Sequence, residues 1–180
     1  MSHGLDQALD QLVGALTASH PGWIRVVQWI GRLEEPDGTP AEADIRLNRV
    51  LVWDGSQVRA EYGKTLGLPS AVYAAVNDHT ADVAWTQLRV VTDRDGAREV
   101  ELVTDEPRRP EVGSATDPYW DQVHGYLDLH RAEVDALVQR LRAGGQLPEG
   151  PRAGGGTAPA GDQGRADDRR KGVLGYFRRG

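Results

Sequence analysis

The chain has 180 residues, with 27 Asp and Glu against 21 Lys and Arg, and it contains no cysteine. This length allows one domain of about 150 residues with its own core, and the lack of cysteine excludes disulfides, thiolate metal sites and cysteine nucleophiles. Residues 1–143 carry 14 basic and 23 acidic side chains, a net charge of −9, whereas residues 144–180 carry 7 and 4, a net charge of +3. An acidic body repels phosphate backbones and attracts basic proteins, so we expect the main domain to bind no nucleic acid.

The first ten residues, MSHGLDQALD, are acidic where a secretory signal peptide needs a basic run followed by an apolar one. No apolar stretch of the sequence reaches the roughly 20 residues that cross a bilayer. Both features favour a cytoplasmic protein.

Apolar residues at helical spacing predict an amphipathic helix over about residues 4–19, with one face packed on a sheet. Pro21 and Gly22 end this helix, because proline disfavours helical geometry in the residue before it. The next stretch, from Trp23 to Leu33, is apolar on both alternating faces and rich in β-branched and aromatic residues. This pattern is typical of a central strand that is covered on both sides.

Turn residues separate the strands that follow. The segment EEPDGTP, residues 34–40, predicts an exposed turn that leads to a polar strand at about 42–47. Within residues 49–62, Asp54 and Gly55 stand between two runs of strand character, which is a strong signal for a tight hairpin.

The second half of the body predicts a short helix, a hairpin and a long helix. The short helix covers residues 69–77, and strands at 83–92 and 97–104 flank the turn that contains Gly96. Apolar residues at helical spacing then predict one helix of about 26 residues that runs from Pro118 to Ala143.

These elements predict an α+β domain over residues 1–143. Its core element is an antiparallel sheet of about five to six strands, with the N-terminal helix and the long C-terminal helix packed on it. Residues 144–168 are dominated by Gly, Pro and Ala, which predicts a disordered linker. Residues 169–180 form a basic and aromatic terminal motif, and this composition indicates weak contact with a membrane or another anionic surface, a motif held by a protein, or an unstructured end. The motif residues are Arg170, Lys171, Tyr176, Phe177 and Arg178.

No motif in the sequence names a reaction or a cofactor. Asn77, Asp78 and His79 stand between a helix and a strand, where a histidine beside an acid can act as a general base, but the same residues are common at helix ends. His124 and His130 are six residues apart, about 120° around a helix, and so do not bind one metal ion together. The nucleotide-binding and serine-hydrolase motifs are missing. We therefore predict no catalytic residues, no metal and no cofactor.

Acidic residues are dense on the second hairpin and on the loop that follows it. This density predicts a surface that binds a cationic partner, although a solvated sheet face explains it as well. The six residues are Asp93, Asp95, Glu99, Glu101, Asp105 and Glu106.

The order of the elements resembles the YezG-like immunity or antitoxin family of bacterial polymorphic toxin systems. The resemblance covers residues 5 to about 130 and rests on the Pro-Gly-Trp that opens the first strand, Trp85 in a later strand, and the Asp-Gly turn at 95–96. It implies a cytoplasmic protein without catalytic activity that neutralises a basic toxin or nuclease by covering its active face.

Two other functions stay open at this point. One is a small hydrolase or ligand-binding domain that uses His79 with a nearby acid in a pocket. The other is an adaptor that binds through its basic tail.

Overall fold

The computed structural model describes residues 3–35, 37–63, 70–80, 82, 84–106 and 120–147. In chain order the elements are α1 His3–Thr17, β1 Trp23–Glu34, β2 Pro40–Trp53, β3 Val58–Glu61, α2 Ser70–His79, β4 Gln87–Asp93, β5 Arg98–Val103, α3 Trp120–His124, α4 Tyr126–Leu129 and α5 Arg131–Ala143. The predicted α+β class is confirmed.

The described strands form one antiparallel sheet in the order β3-β2-β1-β4-β5. β1 lies in the centre of the sheet, as its apolar sequence predicts. The predicted turn at Asp54 and Gly55 joins β2 to β3, and Gly55 has a φ of 101° there. Gly96 has a φ of 91° in the turn that joins β4 to β5, a backbone region that glycine occupies without steric cost.

Helices cover both faces of the sheet and create two separate cores. On one face α1 and α2 pack on β1, β2 and β4, and this upper core includes Leu9, Leu12, Ile30 and Leu88. On the other face α3, α4 and α5 pack on the same strands and form a lower core. The lower core includes Trp29, which is 1% exposed.

A bulge at the start of β1 changes which side chains face the lower core. Trp23 pairs with Val52 and Arg25 pairs with the adjacent residue Leu51, so Ile24 is an additional residue of β1 without its own partner in β2. Ile24 packs in the lower core, and Arg25 points to the same side, where it contacts α4. Arg25 shares the lower face with Val27 and Trp29 through the ordinary alternation of a strand, and the bulge adds Ile24 to that face.

The single C-terminal helix predicted over residues 118–143 is divided into α3, α4 and α5 within the described residues. The interruptions fall at Gly125, a weak helix former, and at His130. Between them Tyr126 turns toward the sheet and packs edge-on against Trp29, with ring centroids 5.6 Å apart. The interruptions thus accompany the burial of the Tyr126 ring in the lower core, where Tyr126 is 3% exposed.

The packed chain continues past the predicted boundary at residue 143. Gly145 has a φ of 66°, and the N–H of Gln146 donates to the carbonyl of Leu141, an arrangement typical of a helix C-terminus. Leu147 is then buried in the lower core with 7% exposure. No described helix has both the length and the apolarity that crossing a membrane requires.

Candidate protein-binding site

The six acidic residues predicted as one partner-binding surface lie in three places. Asp93 and Asp95 stand at the turn between β4 and β5, Glu99 and Glu101 lie on β5, and Asp105 and Glu106 follow that strand. β5 alone is roughly 17 Å long at about 3.4 Å per residue, so the first and last pairs are on opposite ends of the sheet.

Asp93 belongs to the interior of the protein and not to its surface. It is 5% exposed, and it stands directly opposite Arg25 in the pairing of β1 with β4. Arg25 Nε donates to Asp93 Oδ1 at 2.6 Å, and Arg25 Nη2 donates to Oδ2 at 3.0 Å. Both oxygens of the carboxylate are thus occupied by an internal ion pair, which is the strong bidentate geometry for these two groups.

The same guanidinium links the sheet to the C-terminal helices. Arg25 Nη1 donates to the Tyr126 hydroxyl at 3.2 Å and to Glu133 Oε2 at 3.4 Å. Burial disfavours the charged form of Arg25, but the Asp93 hydrogen bond and the charges nearby more than offset it, so the pKa of Arg25 is raised. For Tyr126, whose charged form is the anion, burial raises the pKa. His130 stacks on Tyr126 at 4.3 Å and lies 3.4 Å from Glu133.

Asp95 is also used within the fold. Its Oδ2 lies 3.4 Å from Arg140 Nη2 on α5, and the same nitrogen lies 3.5 Å from Asp93 Oδ2. Arg140 therefore links α5 to the β4–β5 turn through these two ion pairs. Asp95 holds the C-terminal helix in place, and its side chain is 28% exposed.

The other four acids are exposed. Glu99 and Glu101 share the face of the sheet that carries the lower core, because Glu101 pairs with Arg89 across the strands and Arg89 pairs with Trp29. Glu101 forms a salt bridge with Arg89. Within the described chain, Glu99 and the two acids after β5 form no ion pair. We call Glu99, Glu101, Asp105 and Glu106 the acidic edge.

The candidate general base His79 is a surface residue in the described structure. It is exposed at the end of α2, and its ring lies against α1, where a Cβ atom at Gly4 would come within 2.5 Å of Nε2. A cleft of about 390 Å³ lies between α1 and the β4–β5 turn, and one of about 440 Å³ lies between α5 and the β2–β3 turn. Neither cleft is lined by His79. Among the described residues, no group of three His, Asp or Glu is arranged to hold a metal ion.

A second polar cluster surrounds Arg49, which sequence reasoning missed. Arg49 is 4% exposed, and its Nη2 donates to the Tyr62 hydroxyl at 2.7 Å. That hydroxyl lies 2.8 Å from His124 Nε2. The sequence did contain a signal for this cluster. Arg49 alternates with Leu47 and Leu51 along β2, and an arginine on an apolar strand face indicates a buried charge.

Residues 148–180 lie outside the described residues. They include the whole predicted tail motif, residues 169–180, and most of the predicted linker, residues 144–168. No protein-family model matches this chain, and no curated protein matches its sequence. The functional argument therefore depends on the geometry and charge of the described residues.

Proposed function

We propose that this protein is a non-enzymatic, cytoplasmic protein-binding module whose acidic edge binds a basic partner. The observation that carries the proposal is the exposed row of carboxylates on β5 and at its exit. Glu99, Asp105 and Glu106 are exposed and have no cationic partner among the described residues.

The contrast with Asp93 and Asp95 supports this assignment. Arg25 and Arg140 neutralise these two acids, whereas among the described residues the acidic edge has only the salt bridge of Glu101 with Arg89. A patch of one charge raises the rate at which an oppositely charged partner associates by about 10-fold to 1000-fold at low salt. A basic protein surface is therefore the partner that this side of the sheet favours.

The position of the patch also suits a protein partner. β5 is at the end of the described strand order, and its side chains at positions 99 and 101 project on one face. A folded protein with a cationic surface can contact these side chains and the acids beyond Val103 at the same time. A small ligand would span only part of the roughly 17 Å strand.

The resemblance to YezG-like immunity proteins suggests which basic partner this is. On that basis we propose that the partner is a toxin, such as a nuclease with a cationic active face, and that this protein neutralises it by covering that face. The proposal requires no catalytic group on this chain.

The test begins with affinity capture by the full-length protein from lysate of its native host, followed by purification of the retained partner. Binding of the purified partner is then measured for the wild type, for Glu99→Lys combined with Glu106→Lys, and for a matched control, Asp78→Lys combined with Asp82→Lys. All four acids are exposed and both variants change the net charge equally, but Asp78 and Asp82 lie at and beyond the end of α2.

We expect the variant of the acidic edge to bind at least about tenfold more weakly, mainly through slower association, with a smaller difference at high salt. We expect the control to bind nearly as the wild type does. Equal losses in both variants would show that net charge alone matters and would remove the acidic edge from the proposal. In growth assays, co-expression should rescue cells from the partner, and a partner without toxicity would contradict the immunity function.

A further inference from the structure

A buried arginine with no acidic partner among the described residues lies on the lower face of the sheet. Arg49 on β2 stands opposite Val27 of β1, a residue of the lower core, and it is 4% exposed. Its guanidinium is 3.6 Å from the centre of the Tyr62 ring. The described hydrogen bonds of Arg49 go to the Tyr62 hydroxyl at 2.7 Å and to the Asn48 carbonyl at 3.3 Å.

The other buried arginine on this face shows how the fold treats such a charge. Arg25 is 8% exposed, and both oxygens of Asp93 contact its guanidinium. In contrast, no carboxylate of the described residues lies within ion-pair distance of Arg49. Two arginines of similar burial on one sheet face therefore differ in whether a described residue provides the anion.

An arginine stays protonated in a protein, so burial does not remove its charge. Taking an ion out of water costs several kcal/mol when no opposite charge accompanies it. The contact with the Tyr62 ring offsets part of this cost, because cations are attracted to aromatic faces. The remaining positive potential stabilises negative charge on the outer side of Tyr62.

Two polar groups lie at that outer side. The Tyr62 hydroxyl accepts a hydrogen bond from Arg49 and is 2.8 Å from His124 Nε2, and the Tyr62 residue is 57% exposed. A tyrosine hydroxyl that accepts from one neighbour can still donate its own proton. His124 can also donate from Nε2, in the tautomer that carries its proton there.

We infer that Tyr62 and His124 form a binding site for a small oxyanion, with the charge of Arg49 directly behind it. The ligand is the oxyanion group of a phosphate or a carboxylate. In the free state His124 Nε2–H donates to the Tyr62 hydroxyl; in the bound state this N–H turns to the anion, and the Tyr62 hydroxyl donates its own proton to an oxygen of the same anion. Arg49 keeps its hydrogen bond to Tyr62 and makes that hydroxyl a stronger donor. This site is separate from the acidic edge and does not depend on the proposed function.

The test uses full-length protein titrated with inorganic phosphate and, in a second arm, with acetate, up to about 50 mM at constant ionic strength. Nuclear magnetic resonance follows the His124 ring and the Arg49 Nε–H, and thermal unfolding follows stabilisation by the bound anion. The two arms distinguish a site for phosphate groups from a site for carboxylates.

Five variants separate the contributions of Tyr62, His124 and Arg49 to anion binding. Tyr62→Phe and His124→Ala each remove one donor and should weaken binding about tenfold, the size expected for a hydrogen bond to a charged group. His124→Gln keeps an N–H donor and should restore most of the affinity. Arg49→Met should abolish binding. Arg59→Gln, on the neighbouring strand and 61% exposed in its side chain, removes an equal charge and should leave binding unchanged.

Saturable shifts of His124 and Arg49 in the wild type would support the site, together with about tenfold weaker binding in Tyr62→Phe and His124→Ala as followed at Arg49. The inference is overturned if neither anion gives saturable shifts, or if Arg59→Gln weakens binding as much as the two donor variants. If Arg49→Met does not fold, the comparison of His124→Ala with His124→Gln decides, since His124 is partly exposed.

Discussion

The ion pair between Arg25 and Asp93 is expected to be the most sensitive polar contact of the described fold. We consider three variants: Asp93→Ala, Arg25→Leu, and the combination of these two changes. Each single change leaves one buried charge behind, whereas the combination removes both charges from the β1–β4 pairing. The comparison therefore separates the cost of an isolated charge from the value of the pair.

Breaking a buried pair from one side typically costs about 3–5 kcal/mol of folding free energy. For Asp93→Ala we expect about 3–4 kcal/mol, because Glu133 is still 3.4 Å from Arg25 but is largely solvated, with 64% exposure. For Arg25→Leu we expect about 2–4 kcal/mol, since Arg140 remains 3.5 Å from Asp93. The combined variant should lose only about 1–3 kcal/mol, mainly because the Tyr126 hydroxyl loses its partner.

Urea unfolding followed by tryptophan fluorescence measures all these values, and Trp29 beside Tyr126 reports on this region. The losses of unfolding free energy in the two single variants should sum to at least about 2 kcal/mol more than the loss in the combined variant. Additivity within about 0.5 kcal/mol, or a loss below about 1 kcal/mol for Asp93→Ala, would refute the reasoning that the fold depends on mutual neutralisation of these groups.

Three further predictions follow from single contacts. Leu147→Ala should cost about 2–3 kcal/mol in urea unfolding, because Leu147 is 7% exposed in the lower core, whereas Gln146→Ala, at an exposed position, should be nearly neutral. Backbone and side-chain hydrogen bonds at the β2–β3 turn lower the pKa of Asp54 below its ordinary value of 3.8. The contribution of the Asp54 carboxylate to stability should therefore be present above about pH 4 and be lost as the pH falls through the folded-state pKa. In Asp54→Asn, the unfolding free energy should depend less on pH in that window. Gly22→Ala should cost about 1–3 kcal/mol in thermal unfolding, because the new Cβ would lie 2.6 Å from the carbonyl oxygen of Trp53; an unchanged midpoint would contradict this packing.

Most of the fold could be predicted from the sequence. Residues 23–33 are apolar at alternating positions on both faces, and the structure places them in the centre of the sheet as β1. The hairpins also follow from local chemistry, since Gly55 and Gly96 supply the backbone conformations that their turns require. Such features depend on neighbours in sequence and are therefore visible without a structure.

The division of the C-terminal helix was not predictable in the same way. Apolar spacing alone predicts one helix through residues 118–143, and only the position of Trp29 beneath α4 explains why Tyr126 turns inward. The role of Asp93 was hidden for a similar reason. Its partner Arg25 is 68 residues away along the chain, and their contact depends on the order of the strands and on the register of β1 with β4.

The strand order also has a consequence for how the chain reaches this structure. Along the described sheet, β1, β2 and β3 pair with their neighbours in sequence, as do β4 and β5, so only the pairing of β1 with β4 joins distant parts. Local hairpins close quickly, whereas bringing β1 to β4 requires closing a loop of many more residues. We therefore expect this seam to form last and to limit the folding rate. Because the seam contains the contact between Arg25 and Asp93, variants of this pair should slow folding as well as reduce stability.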